Sequence, residues 1–291
     1  MNISRAITMM PNFIEIETST YCNRRCSFCP NSIYERGIEQ RLIDKHLFKK
    51  IILDLKSLEY EGTIALHNYN EPLFDPFLYE HLQTLSDNIP HSKKIILTNG
   101  DILTREKLTN LDSLGVNQIR IALYSWVQNP IETINKHARN LGLNAQLAAT
   151  NDGTVSRLVF NRMEVAYLVP NRDLFTSRGG LLEKKICSEY CYLPLVSSAI
   201  DIDGNMKICC EIYPANEVHQ KYGIVGNLRD KSFWDLWFST EYNKLRADLL
   251  KNDKKNKICR ECTKIPKSSL KVTSDIIDKW KELLKDEHLF N

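Results

Sequence analysis

Three cysteines lie within eight residues near the start of the chain, at Cys22, Cys26 and Cys29, in the spacing C-x3-C-x2-C. They follow residues 13–17, whose alternating apolar and polar side chains are typical of a half-buried strand. Three thiolates can bind three irons of a [4Fe–4S] cluster and leave the fourth iron open. The alternatives are a disulfide and a zinc site, although zinc usually takes four ligands from paired C-x2-C motifs. The spacing therefore predicts a cluster with one open position.

The remaining cysteines form a second, distant group. The chain has nine cysteines, and those outside the first motif are Cys187, Cys191, Cys209, Cys210, Cys259 and Cys262. Residues 1–11 lack the apolar segment of a secretory signal, so we expect a reducing, cytoplasmic compartment. In that setting cysteines serve as metal ligands more often than they form disulfides. Two separated groups of thiols predict two metal centres in two domains.

The composition limits the classes of partner. The 291 residues are 43% hydrophobic and 26% charged, which is typical of a soluble globular protein. A net charge of only +3 does not indicate the basic surface of a nucleic-acid-binding protein, so no nucleic-acid partner is expected. No run of 18 apolar residues is present, so no membrane span is expected either.

Segments typical of strands alternate with segments typical of helices through the first 170 residues. The predicted strands are 13–17, 63–66, 94–98, 118–123, 143–149 and 164–169. This alternation predicts an α/β fold whose parallel strands are joined by right-handed helical crossovers, an open, partial (β/α)6 barrel. The segment 150–163 fits neither pattern well. Ligands of such folds bind at the carboxyl ends of the strands, where the first cysteine motif lies.

The character of the chain changes after residue 176. Alternating residues on both sides of Asp203-Gly204-Asn205 predict a β-hairpin, and a helix follows from Phe233. The hairpin with its flanking thiols and the later C-x2-C pair can bring four sulfurs to one centre. Residues 274–289 have the spacing of an amphipathic helix, which we expect to pack on the barrel.

The first cysteine motif, with Phe28 directly before its last cysteine, resembles the signature of the radical S-adenosylmethionine (SAM) superfamily. The resemblance implies that the cluster on Cys22, Cys26 and Cys29 binds S-adenosyl-L-methionine through its open iron. After the second strand, Asn70-Glu71-Pro72 resembles the end of the family's Gly-Gly-Glu-Pro stretch, whose backbone meets the ammonium group of SAM. Asn70 replaces the last glycine, and asparagine tolerates a left-handed backbone better than most residues.

Two further strand ends resemble family positions that contact SAM. Thr98-Asn99 ends the third strand, and Ser125 follows the fourth strand, where the family often has a serine near the SAM ribose. His67, at the end of the second strand, is either a structural histidine or a general base facing the pocket.

The second thiol region resembles the twitch domain, the smaller relative of the SPASM domain, which carries an auxiliary [4Fe–4S] cluster. The resemblance includes Ser177-Arg178-Gly179-Gly180 and Asp-Gly before Cys-Cys. We assign the auxiliary cluster to Cys191, Cys209, Cys259 and Cys262. Structural zinc would suit four thiolates too, and Cys187 is an alternative to Cys191. The predicted domains are 1–175, the barrel; 176–265, the cluster domain; and 266–291, the terminal helix.

The resemblance, which extends to 2-deoxy-scyllo-inosamine dehydrogenases, implies three possible reactions. In the first, a substrate alcohol becomes a ketone and the auxiliary cluster accepts the second electron. In the second, Cys187 or Cys210 returns a hydrogen atom and the enzyme is an epimerase. In the third, the enzyme modifies a ribosomal peptide. A small polar substrate such as a sugar, cyclitol or nucleotide and a flavodoxin- or ferredoxin-type electron donor are the expected partners. An iron–sulfur electron carrier without turnover is the remaining alternative.

Overall fold

A computed structural model of the chain describes residues 8–123, 129–143, 154–169, 176–183, 191–253, 256–263 and 272–289. Its strands are β1 Phe13–Ile16, β2 Thr63–Ala65, β3 Lys93–Thr98, β4 Gln118–Ala122, β5 Thr154–Phe160, β6 Met163–Leu168, β7 Ser197–Ile200, β8 Asn205–Lys207 and β9 Ile224–Asn227. These strands form one open sheet in the order β5-β6-β4-β3-β2-β1-β7-β8-β9.

The helices lie between and after the strands. They are α1 Lys45–Ser57, α2 Leu78–Asn88, α3 Arg105–Ser113, α4 Pro130–Asn140, α5 Leu193–Val196, α6 Glu217–Gly223, α7 Phe233–Trp237, α8 Thr240–Leu250, α9 Lys257–Glu261 and α10 Ser274–Asp286. The predicted cap at Asp44 is present, because its carboxylate accepts a hydrogen bond from the Leu47 N–H at 2.9 Å. No helix of the described ranges is long and apolar enough to cross a membrane.

The barrel half of the sheet is parallel, as predicted. β1, β2, β3, β4 and β6 pair in parallel, and each contributes a fully buried aliphatic side chain, namely Ile14, Ile64, Ile96, Ile119 and Val165. The strand predicted at 143–149 falls almost entirely outside the described residues, and the strand beside β4 is β6. Part of the segment 150–163 forms β5, which pairs antiparallel with β6 across a tight turn.

The hairpin of the second thiol region continues the same sheet. β7 pairs in parallel with β1, with Phe13 opposite Ser197 and Ile16 opposite Ile200. β8 and β9 then extend the sheet antiparallel. The segments that follow β1 and β8 are in contact, because the Tyr213 hydroxyl donates to the side-chain oxygen of Asn31 at 2.8 Å.

The terminal helix α10 packs on the second region. Trp280 is fully buried and its indole N–H donates to the Leu195 carbonyl at 3.0 Å. The closest helices are α8 and α5, rather than the barrel helices on which we expected it to pack.

Candidate functional site

The first three thiols lie on a compact loop after β1. The Cys29 N–H donates to the Cys26 carbonyl at 2.9 Å, and Pro30 begins a 3-10 turn directly afterwards. Burial raises the pKa of Cys26 to about 11, and the neighbouring thiolates of Cys29 and Cys22 act in the same direction. Neighbouring thiolates that raise each other's pKa suit a bound cation, which would lower the pKa of each thiol instead. The donor set therefore fits a cluster held by three cysteines.

Glu71 joins the ends of β2 and β3. Its side chain is almost fully buried and accepts hydrogen bonds from the Thr98 hydroxyl at 2.6 Å and the Asn99 N–H at 2.8 Å. A third bond comes from the Leu73 N–H at 3.2 Å. Burial raises the pKa of Glu71, although these bonds act in the opposite direction. The predicted SAM-contacting positions Glu71, Thr98 and Asn99 thus form one hydrogen-bonded unit.

A chain of side chains ties the cysteine loop to the end of β3. The Asn99 side chain donates through Nδ2 to Asn23 Oδ1 at 2.8 Å, and Asn23 Nδ2 donates to Asp101 Oδ2 at 2.8 Å. Arg24 also donates to Asp101, through Nε at 2.8 Å. Burial raises the pKa of Asp101, but the bonds from Arg24 and Asn23 hold it below its ordinary value. Sequence reasoning missed Asn23 and Asp101, although both lie beside motifs that it identified.

Asn70 is buried but keeps an ordinary backbone. It is not among the described residues with positive φ, so replacing the family's glycine requires no left-handed turn here. Its side-chain oxygen Oδ1 accepts from the backbone N–H of Asn68 at 2.9 Å, and its buried side-chain N–H₂ has no partner. Pro72 begins a 3-10 turn and is buried. Ser125 and Cys187 lie outside the described residues.

Four polar side chains form a layer near the carboxyl ends of β1 and β2, the polar layer; they belong to Glu15, His67, Asn68 and Lys207. His67 Nε2 stands 3.8 Å from Glu15 Oε1, and the Asn68 amide donates to Glu15 Oε2 at 2.7 Å. The fully buried Lys207 donates to the Asn68 side-chain oxygen Oδ1 at 2.5 Å. Burial lowers the pKa of His67 despite the opposing charge of Glu15. His67 is therefore neutral near pH 7 and can accept a proton.

A buried ion pair supports this layer. Arg36 donates to both oxygens of Glu17, at 2.8 and 2.6 Å, and Glu17 is fully buried. Burial raises the pKa of Glu17, but the charge and hydrogen bonds of Arg36 outweigh it and the pKa is lowered. A bidentate arginine is the geometry that stabilises a buried carboxylate best.

Arg178 contacts both thiol regions. Its Nε lies 3.5 Å from the carbonyl oxygen of Phe28, and its Nη1 lies 3.5 Å from Glu211. The guanidinium also lies 5.8 Å from the ring centroid of Tyr69, a buried residue whose hydroxyl has no partner. The Sγ of Cys210 lies 3.8 Å from Glu211 Oε1. The Cys210 backbone carbonyl accepts from the Asn68 side chain at 3.3 Å, so Cys210 lies beside the polar layer.

The second group of thiols surrounds a cavity. Cys191, Cys209, Cys259 and Cys262 line about 470 Å³ of empty space, part of it open to solvent, together with the buried Glu211 and apolar side chains such as Leu193, Ile208, Leu249 and Ile258. Among the described residues, no three His, Cys, Asp or Glu side chains are arranged to hold one metal ion. Burial raises the pKa of Cys209, and the charges of neighbouring cysteines add to the effect. Four thiols around an apolar cavity fit a cluster with complete thiolate coordination.

Local structure explains how the last two of these thiols are positioned. The Asn256 side chain caps α9 by accepting from the Ile258 N–H at 2.9 Å and the Cys259 N–H at 3.4 Å. The Ser177 hydroxyl donates to the Glu261 carbonyl at 2.9 Å, one residue before Cys262. Arg178 and the C-x2-C loop are thereby held together.

Two family models match the chain. Residues 16–146 match the radical SAM superfamily, and residues 191–263 match SPASM, an iron–sulfur cluster-binding domain. A curated relative is the S-adenosyl-L-methionine-dependent 2-deoxy-scyllo-inosamine dehydrogenase of Niallia circulans. It is 27% identical over 259 residues, which cover 87% of this chain and 93% of the relative.

Solved structures of BtrN are similar along most of their length. BtrN in complex with AdoMet and 2-DOIA superposes with a TM-score of 0.69 at 25% identity, covering 88% of this chain and 94% of BtrN. BtrN in an open conformation gives a TM-score of 0.56 at 24% identity, with 90% of each chain covered. The second likeness concerns the fold alone.

Proposed function

We propose that the chain, whose residues 16–146 match the radical SAM superfamily, is a dehydrogenase that oxidises one alcohol of a small polar substrate to a ketone. The relative and BtrN point to an aminocyclitol, because their names give 2-deoxy-scyllo-inosamine as the substrate or ligand. A sugar or nucleotide-like alcohol of similar size belongs to the same proposal. Epimerisation and peptide modification are not favoured by these comparisons.

The cofactors are S-adenosyl-L-methionine and two [4Fe–4S] clusters. We infer that Cys22, Cys26 and Cys29 would hold the SAM-binding cluster, with Phe28, Asn70, Glu71, Pro72, Thr98, Asn99 and Ser125 around SAM. Cys191, Cys209, Cys259 and Cys262 would hold the auxiliary cluster. When bound, these groups supply a 5′-deoxyadenosyl radical that takes a hydrogen atom from carbon, and an acceptor for one electron.

The chain's own residues have three tasks. Glu71 holds the ends of β2 and β3 together, and the two strand ends would then form a rigid surface on which SAM binds. The polar layer around Glu15, Asn68 and Lys207 offers both donors and acceptors to a polyhydroxylated substrate. His67 is the neutral base that would take the hydroxyl proton.

The balance of the reaction requires an electron acceptor. The alcohol loses a hydrogen atom from carbon, a proton from oxygen and one electron, and these losses convert C–OH to C=O. The observation that carries the proposal is the cavity lined by four cysteines, which provides a site for that acceptor. Arg178 connects the two proposed cluster sites, because it contacts the Phe28 carbonyl, directly before Cys29, and the carboxylate of Glu211, two residues after Cys209.

A flavodoxin- or ferredoxin-type protein would supply the first electron, and the enzyme would act in the cytoplasm. The proposed domains are the barrel, the cluster domain and the terminal helix, at residues 1–175, 176–265 and 266–291.

The test is anaerobic reconstitution followed by turnover with SAM, a reductant and 2-deoxy-scyllo-inosamine. We expect about eight irons per chain, formation of 5′-deoxyadenosine, and a product that has lost two hydrogens. A Cys259→Ala/Cys262→Ala variant should contain about four irons and still form 5′-deoxyadenosine, but yield no ketone. A product with the mass of the substrate in H₂O, which gains one deuterium when the reaction is run in D₂O, would show epimerisation instead and overturn the proposal.

A further inference from the structure

Arg246, on α8, is a fully buried cation. Its guanidinium carbon lies 4.1 Å from the ring centroid of Trp237, 3.8 Å from that of Tyr242 and 4.1 Å from that of Trp280. Trp280 belongs to α10, so the terminal helix closes an aromatic cage around the charge. Aromatic faces attract a desolvated cation, but they carry no negative charge.

No carboxylate forms an ion pair with Arg246 within the described ranges. Its hydrogen bonds go to neutral oxygens: the carbonyls of Pro194 and Trp237, and the side chain of Asn243 at 2.7 Å. The terminal nitrogen Nη2 has no partner. Burial lowers the pKa of Arg246 to about 9, so the cation persists at neutral pH. Tyr242 and the exposed Glu287 favour the charged form of Arg246 only in part, and a second anion nearby would offset the cost of burying this charge.

The cage adjoins the cavity lined by four cysteines. Arg246 Nε donates to the Pro194 carbonyl at 2.8 Å, and Pro194 lines that cavity. The Tyr242 hydroxyl donates at 2.8 Å to the carbonyl of Ile208, which precedes Cys209 and also lines the cavity. The caged cation therefore borders two walls of the proposed auxiliary-cluster site.

We propose that Arg246 is the counter-charge of the auxiliary cluster and raises that cluster's reduction potential. This inference rests on the proposed function, because it requires the cluster at Cys191, Cys209, Cys259 and Cys262. A cluster with four thiolate ligands is an anion, and reduction adds one more negative charge. A nearby cation in a poorly solvated site stabilises the reduced form more than the oxidised form. The cluster thereby becomes a better acceptor for the electron that leaves the substrate.

The test is a redox titration of both clusters, followed by electron paramagnetic resonance, in Arg246→Gln and Arg246→Lys. Both changes shorten the side chain and remove the planar guanidinium, but only Lys keeps the charge. In Arg246→Gln we expect the auxiliary potential to fall by at least 59 mV, a tenfold change in the equilibrium constant of one-electron reduction. Arg246→Lys should stay closer to wild type. The SAM-binding cluster is the internal control, and its potential should not move.

A second variant neutralises the cation without removing it. Asn243 Oδ1 accepts from Arg246, and Asn243 Nδ2 donates to Glu287 at 2.9 Å. Asn243→Asp combined with Glu287→Gln can keep both hydrogen bonds while moving a negative charge from an exposed position to the guanidinium. This variant should lower the auxiliary potential too, and it decides the question if Arg246→Gln does not fold or loses iron.

The outcomes separate this inference from the proposed function. Wild-type protein with only about four irons would overturn both. With about eight irons and ketone formation intact, an auxiliary potential that stays unchanged in the neutralised variants would overturn the role of Arg246 alone. Equal shifts of both clusters would also overturn it, because they would indicate a general structural change.

Discussion

The carboxylate of Glu71 accepts a hydrogen bond from the backbone N–H of Asn99 at 2.8 Å, although the two residues follow different strands. The same carboxylate accepts from the Thr98 hydroxyl at 2.6 Å. One buried side chain therefore sets the spacing between the two strand ends that are proposed to contact SAM.

Replacing Glu71 with Gln should weaken SAM binding and destabilise the fold. One amide N–H₂ would then face N–H and O–H donors, which leaves buried groups unpaired at a cost of about 1–3 kcal/mol. We expect SAM affinity to fall at least about tenfold, which corresponds to about 1.4 kcal/mol. Equilibrium binding and denaturant unfolding measure the two effects. The control is the exposed Glu61→Gln, and equal behaviour of the two variants would contradict the role of Glu71.

Replacing Arg36 should lower the free energy of unfolding by an amount that depends on pH, because Glu17 titrates. In the wild type the pKa of Glu17 is held below 4.5, so its contribution to stability is present above that pH and is lost as the pH falls. In Arg36→Met the carboxylate is buried without its partner, which costs about 3–5 kcal/mol near pH 7. Because burial then raises the pKa of Glu17, we expect a smaller loss at pH 4. Urea unfolding at both pH values measures it, and a pH-independent loss would contradict the assignment.

The pH profile of ketone formation should report on His67. Burial lowers its pKa below 6.5, so the neutral base is present above that pH and is lost as the pH falls through the lowered value. We expect ketone formation to be flat above pH 6.5 and to decline below it. In His67→Gln the rate should drop about 10²–10⁴-fold and lose this dependence. Uncoupled formation of 5′-deoxyadenosine, measured in parallel, should be retained in the variant; if it falls equally, His67 is not the base.

The adjacent cysteines 209 and 210 should have opposite phenotypes. Cys209 lines the proposed auxiliary-cluster cavity, whereas the Sγ of Cys210 lies 3.8 Å from Glu211 Oε1. We expect Cys209→Ala to lose auxiliary iron and ketone formation. Cys210→Ala should keep about eight irons and oxidise the substrate within a few-fold of the wild-type rate. Iron analysis and product mass spectrometry measure both; abolished turnover in Cys210→Ala with full iron content would support a hydrogen-donating thiol instead.

Local patterns predicted much of the fold. The first four strands and the strand near 164 are present, since alternating apolar residues bury one face of a strand whatever its neighbours are. The Asp44 cap and the hairpin at Gly204 depend on residues close in sequence, and both are present. The segment 154–160 was harder to assign, because its strand pairing is antiparallel in an otherwise parallel half of the sheet.

By itself, the sequence determined the two sets of thiols, the resemblance to the radical SAM superfamily and the alternation of strands and helices, because these depend on residue type and on short, regular spacing. Only the tertiary structure decided that β7 pairs with β1, that Glu71 binds the end of β3, and that Arg178 reaches both Phe28 and Glu211. It also decided that Trp280 closes a cage around Arg246. These contacts join residues that are between 27 positions apart, for Glu71 and Thr98, and 184 positions apart, for Phe13 and Ser197. Local periodicity carries no information about such pairs, since packing of the whole chain selects them.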